Sequence, residues 1–550
     1  MATFSDVLDQ LRENQPQGKY GLAFEKLMVN FFRTDPTLAP EFDQVYRWVD
    51  WPFNGGKADT GIDLVARRVE DGRWVAIQCK FYLPTTHIQK GQLDSFFEAS
   101  GRSFTTEKGV EFFAQRYIIS TTDLWSSHAE EALRNQQIPV NRIGFSDVEH
   151  SPVNWDVVFP GSEIEVHLTR RETFEPRPHQ ATAIEKTLEG FKTHDRGKLI
   201  MACGTGKTFT ALRLAERVAQ QNYGKARVLF LVPSIALLSQ SLKEWTAQAT
   251  MDLKAFAVCS DSKVGKQAED IDAHDLEVQV STSGADIAAR YKQGKRAKAL
   301  NVVFSTYQSI QAVHDAQQLG LEDFDLIICD EAHRTTGVTL AGDDESNFVK
   351  VHDPEFIRAS KRLYMTATPR LFDESVKDKA VQHSAELASM DDEAVYGPEL
   401  HRLGFGEAVE KGLLTDYRVL VMTVDENVAA EAMALRTHEG MNLTTASAMI
   451  GAWNGLAKRS GGLQGKKGGF DEDAEPMRRT VAFAKDIKTS KLIAESFPAL
   501  VSSHQQLLRE NAVLHDVSLH NVDLEVAAQH VDGSMNALER GNKISWLEAD

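Results

Sequence analysis

Residues 198–219 read KLIMACGTGKTFTALRLAERVA, and this stretch decides the fold. It joins a short apolar run, through a loop that contains two glycines, to a segment whose apolar residues recur at helical spacing. A strand that leads through such a loop into a helix is typical of a phosphate-binding loop, because glycine lets backbone N–H groups turn towards phosphate oxygens. Met201 replaces the first glycine of the GxxxxGK[ST] pattern, but the strand–loop–helix context is retained.

The loop residues have distinct expected roles in this context. We expect Gly204, Thr205 and Gly206 to surround the phosphates of ATP. Lys207 would reach the β and γ oxygens, and the Thr208 hydroxyl would bind Mg²⁺. The sequence therefore predicts a site for ATP and Mg²⁺ at the end of a buried strand.

A second apolar run supplies the other half of this site. Residues 324–333 read FDLIICDEAH, so two carboxylates directly follow a buried strand. Ligands bind at the carboxyl ends of the strands in parallel sheets of this kind. We expect Asp330 to hold Mg²⁺ and Glu331 to polarise the water that attacks the nucleotide.

Short apolar strands alternate with helical segments on both sides of these motifs. Such alternation predicts an α/β fold with a doubly wound parallel sheet, buried on both faces. The predicted strands are Lys198–Ala202, Val228–Val232, Val302–Ser305, Leu326–Cys329 and Arg362–Thr366. A second set of strands begins near Tyr417 and includes Thr480–Ala484. Between these two points lies an insertion at Gly461–Glu475, which is first glycine-rich and then acidic.

In this order the motifs resemble those of a superfamily 2 DEAH-type helicase domain. Residues 177–180 (RPHQ) resemble its Q motif, which implies that Gln180 reads the adenine edge. Residues 231–234 (LVPS), 303–308 (VFSTYQ) and 365–369 (MTATP) resemble motifs Ia, Ic and III. The resemblance implies that five residues contact DNA or couple hydrolysis to its movement. They are Ser234, Thr306, His333, Thr366 and Thr368.

The C-terminal part resembles only the beginning of the second motor lobe. Phe405–Val421 and Thr480–Phe497 are similar to its entry and its motif IV, and His530–Met535 to the segment before motif V. Motif VI, which supplies the arginine finger in this family, has no counterpart, since Arg540 comes too early. We therefore expect the chain to be the N-terminal part of a longer protein or a truncated product.

The N-terminal part contains a predicted β-hairpin. Strands are expected at Ile62–Val69 and Trp74–Phe81, joined by the Asp-Gly pair of Glu70–Arg73 in a two-residue type I′ turn. This register places Asp63 opposite Lys80, with Gln78 on the same face. The apolar neighbours would point into the core; they are Ile62, Leu64, Ile77 and Cys79. A further strand is predicted at Arg116–Thr121, and helices at Leu22–Phe32 and Gln89–Glu98.

Metal-assisted hydrolysis of a phosphodiester fits this set of side chains. Asp63 and Gln78, helped by the Cys79 carbonyl, would hold Mg²⁺, and Lys80 would orient the attacking water. The pattern resembles PD-(D/E)xK nucleases, and its QxK form resembles their Mrr-type branch. The resemblance implies that Glu25 contacts either the metal ion or one of the residues that bind it. Asp59 is a rival carboxylate, and a plain hairpin with a solvated lysine and glutamine is the alternative.

Composition limits the remaining possibilities. The net charge of −18 means that DNA must be bound by local basic patches and backbone N–H groups rather than by bulk attraction. Four scattered cysteines, no signal peptide and no long apolar run favour a cytoplasmic protein without a membrane span. His87, His128 and His179 lack metal-ligand spacing, and Arg290–Lys298 is interpreted as a solvated helix face rather than a phosphate contact.

A nuclease followed by such a motor resembles the Type ISP restriction-modification enzymes. The resemblance implies a translocase on double-stranded DNA coupled to an endonuclease, with methyltransferase and target-recognition domains later in the same chain. The alternatives are the motor subunit of a multi-subunit Type I system and a DNA remodeller whose nuclease fold is an inactive clamp. The expected domains are a nuclease (1–160), a linker (161–178), a first RecA-like lobe (179–395) and an incomplete second RecA-like lobe (396–550).

Overall fold

A computed structural model gives the structure of the chain in two compact units, Met1–Thr415 and Asp416–Asp550. No helix among the residues that it describes is long and apolar enough to cross a membrane. The described residues are 2–14, 20–56, 61–134, 136–156, 168–259, 276–339, 346–372, 386–416, 426–434, 441–459, 475–515, 520–532, 543 and 546–547.

The first unit begins with a five-stranded mixed sheet in the order β1-β2-β3-β6-β7. Its strands are Phe42–Arg47 (β1), Leu64–Arg68 (β2), Trp74–Lys80 (β3), Gln115–Ser120 (β6) and Val140–Ile143 (β7). Two small strand pairs are Phe104–Thr106 (β4) with Gly109–Glu111 (β5), and Val153–Asn154 (β8) with Thr169–Arg170 (β9). The helices are Phe4–Asn14 (α1), Tyr20–Thr34 (α2), Asp94–Ser100 (α3), Ser127–Leu133 (α4) and Phe145–His150 (α5).

Helix α2 covers one face of this sheet because its apolar residues recur every three or four positions. Phe24, Leu27 and Phe31 are buried in one core with Leu64 and Ile77 of the sheet. The predicted strands and this helix are confirmed, with ends that differ by one or two residues. The helix predicted at Gln89–Glu98 begins later, since a short 3-10 turn at Lys90–Gln92 precedes α3.

The predicted register of the hairpin β2–β3 is wrong by two residues. Leu64 pairs with Ile77 and Arg67 with Trp74. Asp63 is therefore not opposite Lys80, and its N–H donates to the carbonyl of Ile77, the residue that pairs with Leu64. The turn is a four-residue loop instead of a two-residue type I′ turn, with Gly72 at φ +69°. For the paired residues Leu64–Arg67 and Trp74–Ile77, a shift by an even number leaves each side chain on its predicted face, because the side-chain period of a strand is two.

One apolar residue of the hairpin packs on the other face. Leu64, Ile77 and Cys79 contact the core under α2, as predicted. Ile62 is instead buried with Val65 on the opposite face. It precedes the first residue of β2, where the chain is not yet in the regular pleat.

An eight-stranded parallel sheet follows in the same unit, in the order β13-β12-β14-β11-β15-β17-β10-β19. Its strands are Arg196–Met201 (β10), Ala226–Val232 (β11), Leu253–Val258 (β12), Val280–Ser281 (β13), Leu300–Thr306 (β14), Leu326–Cys329 (β15), Arg362–Thr366 (β17) and Glu399–Leu403 (β19). Gly337–Thr339 (β16) and Glu386–Ala388 (β18) form a separate pair. The helices are Pro178–Gly190 (α6), Lys207–Gln221 (α7), Ile235–Gln248 (α8), Gly284–Gly294 (α9), Ile310–Gln318 (α10), Glu393–Tyr396 (α11) and Phe405–Glu410 (α12).

The predicted doubly wound parallel sheet is confirmed, and all five predicted strands lie in it. Apolar clusters bury both faces, as the continuous apolar strands require. The prediction omitted three strands of the sheet, β12, β13 and β19. The limits of the predicted domains remain a prediction, although β19 at Glu399–Leu403 belongs to this sheet.

The described residues of the second unit form three helices around a small core. The helices are Glu426–Ala434 (α13), Leu443–Leu456 (α14) and Ile487–His515 (α15), and Trp453 and Leu500 are fully buried among them. The strand predicted at Thr480–Ala484 is wrong, because this segment has no strand partner among the described residues and Phe483 is 96% exposed. Tyr417, Arg540 and residues 461–474 of the predicted insertion lie outside the described residues.

Charged side chains join the part of the chain around the five-stranded sheet to the part around the parallel sheet, within the first unit. Lys254 of β12 contacts both carboxylate oxygens of Glu41, at 2.6 and 2.7 Å. Lys243 of α8 contacts Asp147 at 2.5 Å and Glu277 at 3.2 Å. These pairs come from residues far apart in sequence, so the sequence patterns gave no indication of them.

The prediction that Arg290–Lys298 forms a solvated helix face is wrong for its two arginines. Arg290 is buried against Glu70, in the loop between β2 and β3. Arg296 contacts Asp252, which directly precedes β12, and donates to the Pro40 carbonyl at 2.7 Å. Both arginines therefore contact the N-terminal part of the chain, through Glu70 and Pro40.

Glu277 gives the contact a pH dependence. Burial raises the pKa of Glu277 to about 7, from an ordinary value of 4.5, although Lys243 opposes the shift. Because the folded protein retains this proton longer than the unfolded chain, its stability falls as the pH rises from about 4.5 to 7. We expect Glu277→Gln to raise the melting temperature at pH 8 by several degrees and to change it little at pH 5. A variant that melts like the wild type at both pH values would contradict this assignment.

Candidate nuclease and ATP-binding sites

Asp63 directly precedes β2 and contacts the strand that carries Gln78. The Asp63 N–H donates to the Ile77 carbonyl at 3.0 Å, and the Cys79 N–H donates to the Asp63 carboxylate at 2.6 Å. These two bonds fix the carboxylate of Asp63 beside β3. The structure thus holds one predicted metal ligand against the strand that carries the other.

Gln78 carries an unsatisfied polar atom. Its side-chain nitrogen donates to the Gly61 carbonyl at 3.1 Å, while its side-chain oxygen is buried and has no hydrogen-bond partner among the residues that the structure describes. Only 3% of the residue is exposed. Leaving such an atom unpaired costs about 1–3 kcal/mol. An amide oxygen beside a carboxylate is a suitable ligand pair for a hard cation such as Mg²⁺, so the donor set fits the predicted metal ion.

Lys80 and Glu25 lie in elements that meet near this pair. Lys80 is the half-buried last residue of β3 and pairs with Ser120 of the neighbouring strand. Glu25 is half-buried on α2, and its neighbour Phe24 packs on Phe81 with ring centroids 5.4 Å apart. The rival carboxylate Asp59 lies outside the described residues.

The phosphate-binding loop has the backbone conformation that its glycines predict. Gly204 and Gly206 have φ values of +79° and +81°, which side-chain-bearing residues rarely adopt. Lys207 and Thr208 open helix α7 directly after the loop. Helix N-termini present free N–H groups, so the loop and helix together form a site for phosphate oxygens.

Two residues of the RPHQ segment hold this loop from behind. Gln180 donates to the Thr205 carbonyl at 3.2 Å and accepts from the Arg177 N–H at 2.9 Å. The His179 ring contacts the same Thr205 carbonyl at 3.0 Å. His179 was left without a role in the prediction, although its place directly before Gln180 was a usable signal. Trp245 was also missed, and its indole N–H donates to the Thr208 carbonyl at 3.1 Å.

Asp330 and Glu331 follow β15 at the carboxyl edge of the sheet. Burial and the neighbouring Glu331 raise the pKa of Asp330 to about 6. The Asp330 carboxylate accepts the Glu331 N–H at 2.9 Å, and its carbonyl accepts the Tyr307 hydroxyl at 2.9 Å. Glu331 has a left-handed backbone, with φ +47°. Such a conformation is uncommon outside glycine and is concentrated at functional sites.

The predicted coupling residues lie near these carboxylates. The His333 ring is 3.3 Å from the Glu331 carboxylate and 3.1 Å from the Thr366 hydroxyl. The Thr366 hydroxyl in turn accepts the Thr368 N–H at 3.1 Å. A chain of contacts therefore joins the end of β15 to the end of β17.

Ser234 and Thr306 end two adjacent strands. The register pairs Val232 with Thr306, so the two segments leave the sheet side by side. The Ser234 hydroxyl caps helix α8 by accepting the Leu237 N–H at 3.3 Å. The Thr306 hydroxyl donates to Ser309 at 3.2 Å. Their expected contacts with DNA remain a prediction.

Two family models match adjacent parts of the chain. Residues 33–165 match a model described as a restriction endonuclease, and residues 173–371 match the res subunit of Type III restriction enzymes. Together these matches cover the five-stranded sheet and all of the parallel sheet except β19.

Individual relatives agree with these matches. The chain is similar along its whole length to the ATP-dependent Type ISP restriction-modification enzyme LlaBIII, solved bound to DNA, with 34% identity and a TM-score of 0.78. It covers 33% of that protein. A probable helicase, A859L of African swine fever virus, is 29% identical over 45% of this chain. The endonuclease subunit of the Type I restriction enzyme EcoAI of Escherichia coli is 25% identical over 46%. The chain spans 24% of the length of each of these two curated relatives.

Two successive parts of the chain therefore have separate similarities. One part matches restriction endonucleases and the next matches the res subunit of Type III restriction enzymes, and the chain is similar throughout to part of a Type ISP restriction-modification enzyme.

Proposed function

We propose that this chain moves along double-stranded DNA at the expense of ATP and cleaves foreign DNA with a Mg²⁺-dependent nuclease. The observation that carries the proposal is that two candidate sites for hydrolysis lie in one compact unit. One contains Asp63 and the buried Gln78 oxygen, which has no hydrogen-bond partner among the described residues, and the other contains the glycine-rich loop, Asp330 and Glu331. The similarity to LlaBIII, which is ATP-dependent and was solved bound to DNA, supports both the cofactor and the partner.

The proposed nuclease site gives a different role to each of three side chains, those of Asp63, Gln78 and Lys80. Asp63 and Gln78 would hold Mg²⁺, which would neutralise charge that develops on the scissile phosphate. Lys80 would orient the water that attacks phosphorus and stabilise the transition state while the bond to the leaving oxygen breaks. Glu25 would support this arrangement from α2.

At the motor site, Gln180 would read adenine while Gly204, Thr205 and Gly206 surround the phosphates. Lys207 would contact the β and γ oxygens, and Thr208 and Asp330 would hold Mg²⁺. Glu331 would orient the water that attacks the γ-phosphate.

The contacts of His333 suggest how ATP hydrolysis is coupled to the residues that would bind DNA. Its ring lies between Glu331 and Thr366, so a change at the γ-phosphate would be passed to the end of β17 and Thr368. Ser234 and Thr306 would bind the phosphates of one DNA strand. The presence of methyltransferase and target-recognition domains in the same protein remains a prediction, as does a cytoplasmic location.

Gln78→Met tests the metal assignment directly. Without nucleotide, Mg²⁺ should raise the melting temperature of the wild type, because a ligand bound only by the folded state stabilises it, by about 2.7 kcal/mol at a hundredfold excess over Kd. The variant should lose this response and DNA cleavage. It should nevertheless be as stable as the metal-free wild type, because it removes the unpaired oxygen along with one hydrogen bond.

Gln44→Met is the matched control, since Gln44 is half-buried on β1 of the same sheet. It should keep the full response to Mg²⁺ and wild-type cleavage. Retention of the Mg²⁺ response by Gln78→Met would exclude Gln78 as a ligand.

A further inference from the structure

The loop between β2 and β3 contacts helix α9, which packs beside the parallel sheet. Glu70, at the tip of this loop, accepts from the Arg290 guanidinium through both carboxylate oxygens, at 3.0 and 3.3 Å. The two side chains are only 4% and 10% exposed. A charge pair removed from water to this extent depends on each partner, because loss of one leaves the other buried and unpaired.

Arg290 is itself fixed by the motor. It donates to the Gln279 carbonyl at 2.8 Å and to the Ser281 hydroxyl at 3.0 Å. Its helix, α9, packs closely on α10, where a Cβ added at Gly284 would overlap Asp315. Helix α10 follows β14 after a single 3-10 turn, so Arg290 is anchored close to the segment that carries Thr306.

The loop that carries Glu70 differs from the turn that its sequence favours. An Asp-Gly pair between two strands favours a two-residue turn. The observed loop has four residues, and Asp71 turns back to pair with Arg68 and accept the Arg73 N–H. These local bonds hold the loop in the shape in which Glu70 contacts Arg290.

Strand β3 connects this tip to the nuclease site. It runs without a break from Trp74 to Lys80, and pairs with β2 along Trp74–Ile77 and with β6 along Val75–Lys80. At about 3.3 Å per residue, the site lies roughly 20 Å from the tip of the loop. Because every residue of β3 is paired on at least one side, displacement of the tip would be passed along the strand to Gln78 and Lys80.

We propose that Glu70 is a positioning residue for DNA cleavage, which locks the hairpin β2–β3 to the first motor lobe through Arg290. The inference rests on the proposed function of the nuclease site and adds a residue to it. The nuclease then travels as a rigid extension of the lobe, and its side chains keep their register while the motor moves.

Glu70→Gln, which removes the charge at nearly constant volume, is the main test. In the complete protein we expect cleavage to fall on the order of 10–100-fold, since small misplacements of reacting groups have effects of this size. The rate of ATP hydrolysis should be unchanged. Without metal, hydrogen exchange at the Asp63 and Cys79 amides should become faster, because both amides bond across the hairpin. Asp43→Asn is the control. Asp43 of β1 pairs with Arg67 of the same hairpin, but the two side chains are 41% and 32% exposed, so loss of this pair should have little effect.

Arg290→Lys keeps the positive charge and should fold even if Glu70→Gln does not. It should give an intermediate loss of cleavage. The double variant with Glu70→Gln should cleave DNA no more slowly than the less active of the two single variants, because both substitutions remove the same interaction. Wild-type cleavage by both single variants would overturn the proposal, as would a parallel loss of cleavage and ATP hydrolysis. Failure of the nuclease assignment itself is distinguishable, because Lys80→Ala would then still cleave DNA.

Discussion

Lys80→Ala is expected to abolish Mg²⁺-dependent DNA cleavage while ATP hydrolysis stays near the wild-type rate. Loss of a single group that stabilises a transition state lowers the rate by roughly 10²–10³. ATP hydrolysis should persist because the phosphate-binding loop belongs to a different sheet of the same unit. Conversion of supercoiled plasmid to nicked and linear forms, measured beside phosphate release, gives both rates from one reaction.

Lys90→Ala is the control for this variant, because Lys90 is exposed in the same domain. It should cleave like the wild type. Cleavage by Lys80→Ala would show that the site is placed wrongly, and Asp59 would become the first carboxylate to substitute.

Lys207→Ala is expected to eliminate ATP hydrolysis and every step that depends on movement along DNA. The lysine contacts the phosphates on which charge develops, and charge-stabilising groups in such sites contribute roughly 10³–10⁵ in rate. Glu331→Gln should separate binding from hydrolysis, since it retains the loop but loses the carboxylate that orients water. Fluorescent nucleotide binding and phosphate release distinguish the two variants.

Lys225→Ala is the matched control, because Lys225 is exposed just beyond α7. Cleavage of DNA by Lys207→Ala at the wild-type rate would mean that the nuclease does not depend on the motor. The proposed restriction function would then fail, although both active sites could still be assigned correctly.

The motor sheet was predictable because its signals are local. Each predicted strand and the motif that follows it lie within a few residues of each other in the sequence. Leu326–Cys329 and Arg362–Thr366 were predicted to the residue. Strand Leu253–Val258 carries no motif of this kind at its end, and it was omitted.

The hairpin shows where local signals fail. Asp71 and Gly72 favour a tight turn, but Asp71 pairs with Arg68, and Glu70 pairs with Arg290, a residue 220 positions away. No local turn pattern indicates the distant ion pair. The faces of the paired residues Leu64–Arg67 and Trp74–Ile77 were still predicted correctly, because they depend on the parity of the register rather than on its exact value. The common face of Asp63, Gln78 and Lys80 stays a prediction.

The contact between the nuclease sheet and the motor has a consequence for chimaeric enzymes. The Tyr117 hydroxyl donates to the Glu277 carbonyl at 2.9 Å, and the Asn141 amide donates to the Leu276 carbonyl at 2.8 Å. A graft that exchanged only residues 1–160 would meet a foreign version of the segment around Leu276–Ser281. Donor and recipient would have to be matched there, and transplantation of this segment along with the nuclease is the conservative design.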